Sequence, residues 1–193
     1  MLLSGMDVSG DNKDGNYKFL AIVIGTKDNI NSLFHSIGKK KIHMNQIQDK
    51  NQRKRIINTV SFDGKNRTAF CLAMNRKNII DKVTNLRKIK QKRMPKSRII
   101  RVYNYLLFQY VKPEIEQFII KNGYAMTDMI IQCEEDCVSI AKDNSLFHTN
   151  IGIAYRISDI VAWCNSHNIT LSGVVEKDFT DQLECKLIER LTR

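Results

Sequence analysis

The sequence has few of the residues that break or cross-link a chain, or hold it in a membrane. Of 193 residues only two are proline and one is tryptophan, and no internal repeat or low-complexity tract is present. Apolar runs such as Phe19 to Ile24 are far shorter than the roughly 20 residues of a membrane-spanning helix. No charged-then-apolar leader is seen either. These absences exclude a fibrous or repeat protein, and they predict a cytoplasmic protein without membrane contact.

The cysteines do not form the sequence patterns of disulfide frameworks or zinc sites. The five cysteines are an odd set with no Cys-x-x-Cys pair. Cys133 and Cys137 are four positions apart, but no second pair or nearby histidine completes the four ligands of a structural zinc site. The cysteines are therefore expected to be reduced core thiols rather than disulfide partners or zinc ligands.

The sequence does contain enough apolar residues for one core. Hydrophobic residues make up 42% of the chain, which fits a single domain over residues 1–193. Periodicity and turn residues predict strands at 2–8, 17–25, 67–75, 126–133 and 169–175, and helices at 28–38, 44–58, 97–123, 152–166 and 180–191. A further short strand is expected at 138–141 or at 147–149. This order predicts an α/β fold, a mixed sheet that starts antiparallel, continues parallel and is flanked by helices.

Positive charge is concentrated in two segments. The net charge is +11, and the basic helical segments 39–60 and 76–101 carry so much of it that the remaining chain is mildly acidic. Such clusters are typical of proteins that bind nucleic acid, because Lys and Arg displace counterions from phosphates. The alternative is a set of solvated helix faces that keep the protein soluble. The predicted nucleic-acid-binding residues are Lys39, Lys40, Lys41, Arg53, Arg55, Arg87, Lys88, Lys92 and Arg93.

Three carboxylates lie where strands and helices can bring them together. Asp7 ends the first predicted strand, Glu134 ends the strand 126–133, and Asp159 lies in the helix that follows. If the two strands are parallel neighbours, their carboxyl ends meet at the edge where open α/β sheets bind ligands. A carboxylate cluster suits Mg²⁺ or Mn²⁺, and a pair of such ions supports phosphodiester hydrolysis. His43, beside the lysines at 39–41, is a candidate to carry a proton or to contact phosphate.

Each of these residues also has a structural interpretation. Asp7 before Ser-Gly could be a turn residue that bonds the next amides. Glu134 could belong to a solvated acidic turn, and His43 could be a partly buried turn residue. Asp is a poor residue for the middle of a helix, so Ser158 and Asp159 could mark a late helix N-cap instead.

Three short motifs, in order along the chain, resemble one known group. Asp7-Val8-Ser9-Gly10, followed by an apolar strand, resembles the Asp-Glu-Ser-Gly opening of a branch of ribonuclease H-like proteins. The segment Lys41-Ile42-His43-Met44 is similar to a Glu-x-His-Ala element of that branch. Residues 153–162 are similar to its Gln-x-Ala-Asp-x-x-Ala helix.

This resemblance implies a ribonuclease H-like fold with a five-stranded mixed sheet and a carboxylate site for a divalent metal. Asp7 takes the place of the first-strand acid, Asp159 that of the helix acid, and Glu134 that of the fourth-strand acid, with Glu135 as the adjacent alternative. The sequence departs from the motifs at Val8, where the branch has Glu, and at Ser158, where it has Ala.

Three functions follow from the sequence. The leading hypothesis is a divalent-metal-dependent nuclease that hydrolyses phosphodiester bonds in RNA or DNA, with catalytic and metal-binding residues Asp7, Glu134 and Asp159 and with His43 as a further catalytic residue. The alternative is a non-catalytic nucleic-acid-binding protein that retains the ribonuclease H-like fold, which the altered motifs favour. A third is an interaction subunit that uses the helix from Ser97 to Val111 to form a homodimer.

Overall fold

The computed structural model describes residues 1–9, 17–38, 43–75, 96–134, 137–144, 147–149, 152–179, 186 and 189. Its strands are β1 (Leu2–Ser9), β2 (Tyr17–Thr26), β3 (Arg67–Asn75), β4 (Met129–Cys133), β5 (Phe147–Thr149) and β6 (Val174–Asp178). Its helices are α1 (Lys27–Ile37), α2 (Lys50–Thr59), α3 (Lys96–Lys121), α4 (Val138–Asn144) and α5 (Ile153–Ser166). None of these helices combines the length and the apolarity that crossing a membrane requires.

The strands form one mixed sheet in the order β5-β4-β1-β2-β3-β6. The pairs β1–β2 and β2–β3 are antiparallel, whereas β1–β4, β4–β5 and β3–β6 are parallel. This arrangement confirms the predicted α/β class, with its antiparallel start, parallel continuation and flanking helices. The sheet has one strand more than the resemblance implied, because β6 pairs with the outer edge of β3.

The two faces of the sheet are covered by different helices. Side chains alternate along a strand, so Leu2 and Met6 of β1 join an apolar cluster that includes Leu107 and Phe108 of α3. Leu3 points the other way and joins a second cluster, which includes Ile157 of α5. Burial of these two layers is the main contribution to the stability of the sheet.

Several parts of the element prediction need correction. The predicted helix 44–58 is divided into a 3₁₀ turn at Met44–Gln46 and α2, which starts only at Lys50 because Asp49 is its N-cap. Of the predicted strand 126–133, the first three residues form a 3₁₀ turn, and β4 starts at Met129.

Two shorter elements also differ. Residues 138–141 are helical, because Ile140, Ala141 and Asn144 are the buried residues of α4 and recur at helical spacing, whereas a strand would alternate. The short strand forms at 147–149 instead, which was the other prediction. The late strand is shifted toward the carboxyl end, from the expected 169–175 to Val174–Asp178. Most of the basic segment 76–101 and most of the predicted helix 180–191 lie outside the described residues.

Candidate carboxylate site

Asp7 and Glu134 lie side by side at one edge of the sheet. Met6 of β1 pairs with Cys133 of β4 in parallel register, and both side chains are buried on the α3 face. Asp7 is the next residue of β1 and Glu134 directly follows β4, so both turn toward the α5 face. The carboxyl ends of two parallel neighbours therefore present two carboxylates to the same helix.

Helix α5 approaches β1 at backbone contact distance. A Cβ atom built on Gly5 would stand 1.9 Å from the carbonyl oxygen of Ala154, so only glycine permits this approach. Tyr155 and Asp159 are four residues apart and share one face of α5. Because Gly5 precedes Asp7 by two residues on the same face of β1, this helix face comes down on the Asp7 carboxylate.

Gln132 fixes the start of α5 on β4. Its Oε1 accepts a hydrogen bond of 2.8 Å from the backbone N–H of Ala154, which satisfies one of the free donors at the helix N-terminus. A Cβ atom at Gly152 would collide with the Gln132 side chain. Since Gln132 and Glu134 are two residues apart, the residue that holds the helix and the candidate acid lie on the same face of the sheet.

Tyr155 joins the helix to the acid on β4. Its hydroxyl donates a hydrogen bond of 2.6 Å to Glu134 Oε1. Burial, followed by the hydrogen bond to Glu134, raises the pKa of the Tyr155 hydroxyl far above its usual value. Tyr155 therefore remains protonated across the biological pH range and remains a donor to Glu134.

The Asp7 carboxyl is buried and its pKa is strongly raised. Only 8% of the residue is exposed. Burial and then the charges of Asp159 and Glu134 raise its pKa to about 7, although hydrogen bonds with Tyr155 and Val8 act to lower it. The three carboxylates therefore lie close enough to repel one another, and Asp7 is half-protonated near neutral pH.

Asp159 lies inside α5, close to a connecting segment of the chain. The helix begins at Ile153 after the N-cap Gly152, so the interpretation of Ser158 and Asp159 as a late N-cap is wrong. Burial raises the pKa of Asp159, while the Met44 amide and His43 lower it. The Met44 N–H donates to Asp159 Oδ2 at 3.1 Å, and His43 Nδ1 lies 3.9 Å from the same oxygen.

The donors suit a hard divalent ion by their chemistry, because carboxylate oxygens are the ligands that Mg²⁺ and Mn²⁺ prefer. The arrangement of these carboxylates, however, is not that of a metal site. In the part of the chain that the structure describes, no three His, Cys, Asp or Glu side chains are grouped so that they could hold a metal ion. The hydrogen bonds from Tyr155 to Glu134 and from Met44 to Asp159 use acceptor oxygens that an ion would share.

The structure describes only two of the nine predicted nucleic-acid-binding residues. Arg53 of α2 is half-buried, and its guanidinium lies 5.3 Å from the centroid of the Trp163 ring. Arg55 is exposed on the same helix. The other seven, Lys39, Lys40, Lys41, Arg87, Lys88, Lys92 and Arg93, lie outside the described residues, as does Glu135.

Sequence reasoning missed three groups of this site: the Tyr155 hydroxyl, the Gln132 amide and the Met44 backbone N–H. Two of them carry a recognisable signal. Tyr155 precedes Asp159 by four residues in a helix, and Gln132 precedes Glu134 by two residues in a strand, so each shares a face with a candidate acid. The Met44 amide has no such signal, because its contact with Asp159 joins residues 115 positions apart.

Comparisons with known proteins add little. No protein-family model matches the chain, and no curated protein sequence matches it. Among solved structures, a chain of the PCNA:RNase HII complex from Archaeoglobus fulgidus is similar, with a TM-score of 0.42 and 10% identity over 87% of this chain and 74% of that chain. Likeness of this degree says nothing about individual residues. The fold therefore rests on the order and register of the strands.

Proposed function

We propose that this protein is a divalent-metal-dependent nuclease that hydrolyses phosphodiester bonds in nucleic acid. The observation that carries the proposal is the convergence of Asp7, Glu134 and Asp159, whose mutual repulsion helps to raise the pKa of Asp7 to about 7. Crowded carboxylates of this kind destabilise the empty site and are relieved by a cation. A site of this chemistry serves phosphoryl transfer better than acyl or redox chemistry.

Asp7, Glu134 and Asp159 are the proposed ligands, and because the described residues do not group them for an ion, they would have to move closer together to hold one. A bound ion would supply an activated water and would stabilise a leaving oxygen. Tyr155 orients Glu134 by its 2.6 Å hydrogen bond, and the Met44 amide orients Asp159. His43 is half-exposed beside Asp159, where its ring can accept or deliver a proton. The basic residues of segments 39–60 and 76–101 are proposed to hold the phosphate backbone.

Cleavage of labelled RNA, DNA and hybrid substrates with Mn²⁺ or Mg²⁺ tests this function. Substituting Asp7→Asn should reduce cleavage by about 100-fold or more, equivalent to about 3 kcal/mol of transition-state stabilisation. Asp28→Asn is the matched control, because Asp28 is an exposed residue of α1 and α1 starts beside Met1, at the opposite end of β1. No cleavage by the unaltered protein, or equal cleavage by the Asp7 variant, would refute the proposal.

One observation favours a second candidate, a nucleic-acid-binding protein without catalysis. Glu134 and Asp159 already accept hydrogen bonds from Tyr155 and Met44, so the cluster is partly satisfied without an ion. This candidate predicts binding that weakens steeply with salt but is unchanged by EDTA and by Asp159→Asn. Binding that strictly requires a divalent ion would count against it.

A further inference from the structure

A concave site lies on the same face of the sheet as the carboxylates. It is a cavity of about 480 Å³, which is within the size range of small-molecule sites. Its floor is formed by β2, β3 and β6, and its wall by the turn that follows α5. Nothing in the proposed nuclease chemistry uses it.

The register of the sheet relates this cavity to the candidate carboxylate site. Asp7 pairs with Ala21, Ala21 with Cys71, and Cys71 with Glu176. Directly paired residues point to the same face, and neighbouring strands are about 4.8 Å apart. Cys71, which lines the cavity, is therefore roughly 10 Å from Asp7, a separation that a few nucleotides of one strand can cover.

The lining of the cavity is rich in hydrogen-bond acceptors and is acidic. The lining residues include Glu176, Asn165, Asn168 and Phe19. Glu176 lies close enough to the floor of the cavity to act on Cys71. Burial is the main cause of the raised pKa of the Cys71 thiol, and the negative charge of Glu176 raises it further. Lys177 also contributes to the lining, but its ammonium group pairs with Glu114 of α3.

This chemistry discriminates between the parts of a nucleotide. A phosphate is repelled by Glu176, whereas a flat neutral base with N–H donors can bond the carboxylate and lie against Phe19. Guanine has two adjacent donors, N1–H and the N2 amino group, which match the two oxygens of a carboxylate. Adenine, cytosine and uracil do not present two such donors side by side.

We propose that the cavity is a base-binding subsite for an unpaired guanine, with Glu176 accepting from the N1–H and the N2 amino group. The guanine must be unpaired because in a duplex its partner cytosine occupies the same edge. The subsite would add base recognition to the proposed nuclease function. Only one part of it rests on that function, namely that the bound guanine belongs to the strand that is cleaved.

Calorimetric titration of the full chain with the four 5′-nucleoside monophosphates tests the subsite directly. All four share the same phosphate, and EDTA in the buffer removes any contribution of a metal ion. The guanosine nucleotide should bind at least about tenfold more tightly than the others, and Glu176→Gln should abolish that preference. Glu116→Gln is the control, because Glu116 lies on α3 in an i,i+4 pair with Lys112. Equal binding of the four nucleotides, no saturable binding, or a preference that survives Glu176→Gln would overturn the proposal.

A second variant tests the subsite even if the Glu176→Gln protein fails to fold. Asn168 has a positive φ of 56°, a conformation that glycine adopts without strain, so Asn168→Gly removes the side chain and leaves the turn. It should weaken guanosine monophosphate binding several-fold, and unchanged binding would count against the subsite. Asp7→Asn should leave that binding intact, so a failure of the nuclease proposal and a failure of the subsite are distinguishable.

Discussion

Met6 and Asp7 are neighbours on β1, yet they belong to opposite kinds of environment. Met6 is fully buried and packs among apolar side chains on the α3 face. Asp7 is almost as buried, but it lies among Tyr155, Glu134 and Asp159 on the α5 face. Successive side chains of a strand point to opposite faces of the sheet. The same strand therefore contributes to the hydrophobic core with one residue and concentrates negative charge with the next.

The comparison shows that burial has opposite consequences on the two faces. On the α3 face, removing side chains from water stabilises the fold. At Asp7, the same loss of water makes the ionised carboxylate unfavourable, as its raised pKa records. The Asp7 charge is therefore expected to reduce the stability of the protein, so its removal should change stability in the opposite direction from removal of the Met6 side chain.

The largest effect is expected where α5 approaches the sheet, at Gly5→Ala. The added Cβ would meet the backbone of Ala154, which cannot rotate away as a side chain can. Overpacking usually costs about 1–3 kcal/mol, and this rigid contact should cost about 3 kcal/mol or more. Urea denaturation measures the loss. A cost below about 1 kcal/mol would mean that α5 shifts without difficulty and that the close approach does not define the site.

The next effect has the opposite sign, at Asp7→Asn. The Asp7 carboxyl has a pKa of about 7 in the fold against an ordinary value of 3.8, so the folded state binds the proton more tightly than the unfolded state. Stability is then full below about pH 4 and is lost as pH rises through 7. The loss amounts to about 4 kcal/mol, at 1.36 kcal/mol for each pKa unit.

Asparagine does not ionise, so the Asp7→Asn protein should be about 2–4 kcal/mol more stable than the unaltered protein at pH 8 and about equal to it at pH 4. Denaturation curves of both proteins across this range give the difference directly. Met6→Ala is the comparison on the other face, where a cavity should cost about 2–5 kcal/mol at every pH. A stability gain at Asp7 that does not change with pH would exclude charge as its cause.

A smaller effect is expected at the hydrogen bond from the Ala154 amide to Gln132. Gln132→Ala leaves that N–H without its acceptor, which should cost about 1 kcal/mol. Gln48→Ala is a matched control, because Gln48 is exposed and should change stability by less than about 0.5 kcal/mol. If the two variants lose the same stability, the Gln132 contact does not hold α5 in place.

The sequence was most informative where a local pattern repeats. The strand Arg67–Asn75 was predicted with its observed bounds, and Glu134 follows β4 as expected, because alternation and apolar runs are properties of the segment itself. The prediction was weaker where a segment depends on its neighbours. A short strand was expected either at 138–141 or at 147–149, and packing made the first segment part of α4, so only the second is a strand.

The candidate site, too, could be predicted only where it depends on local patterns. The positions of Asp7 and Asp159 on β1 and α5 follow from local patterns. The raised pKa of Asp7 does not, because it depends on how closely α5 approaches β1, and Gly5 is an ordinary strand residue in the sequence alone. The Met44 amide likewise reaches Asp159 only through the folded chain.

The smallest effect, at Ser4→Ala, tests the apolar side of the comparison. Ser4 is the residue before Gly5, so it faces α3 together with Leu2 and Met6. Its hydroxyl is buried and finds no hydrogen-bond partner among the residues that the structure describes. Removing an unsatisfied buried hydroxyl ends a desolvation cost and leaves almost no cavity. The variant should therefore be equal in stability or more stable by up to about 1 kcal/mol, as measured by urea denaturation. A loss of more than about 1 kcal/mol would reveal a partner for the hydroxyl and show that the α3 face is not purely apolar.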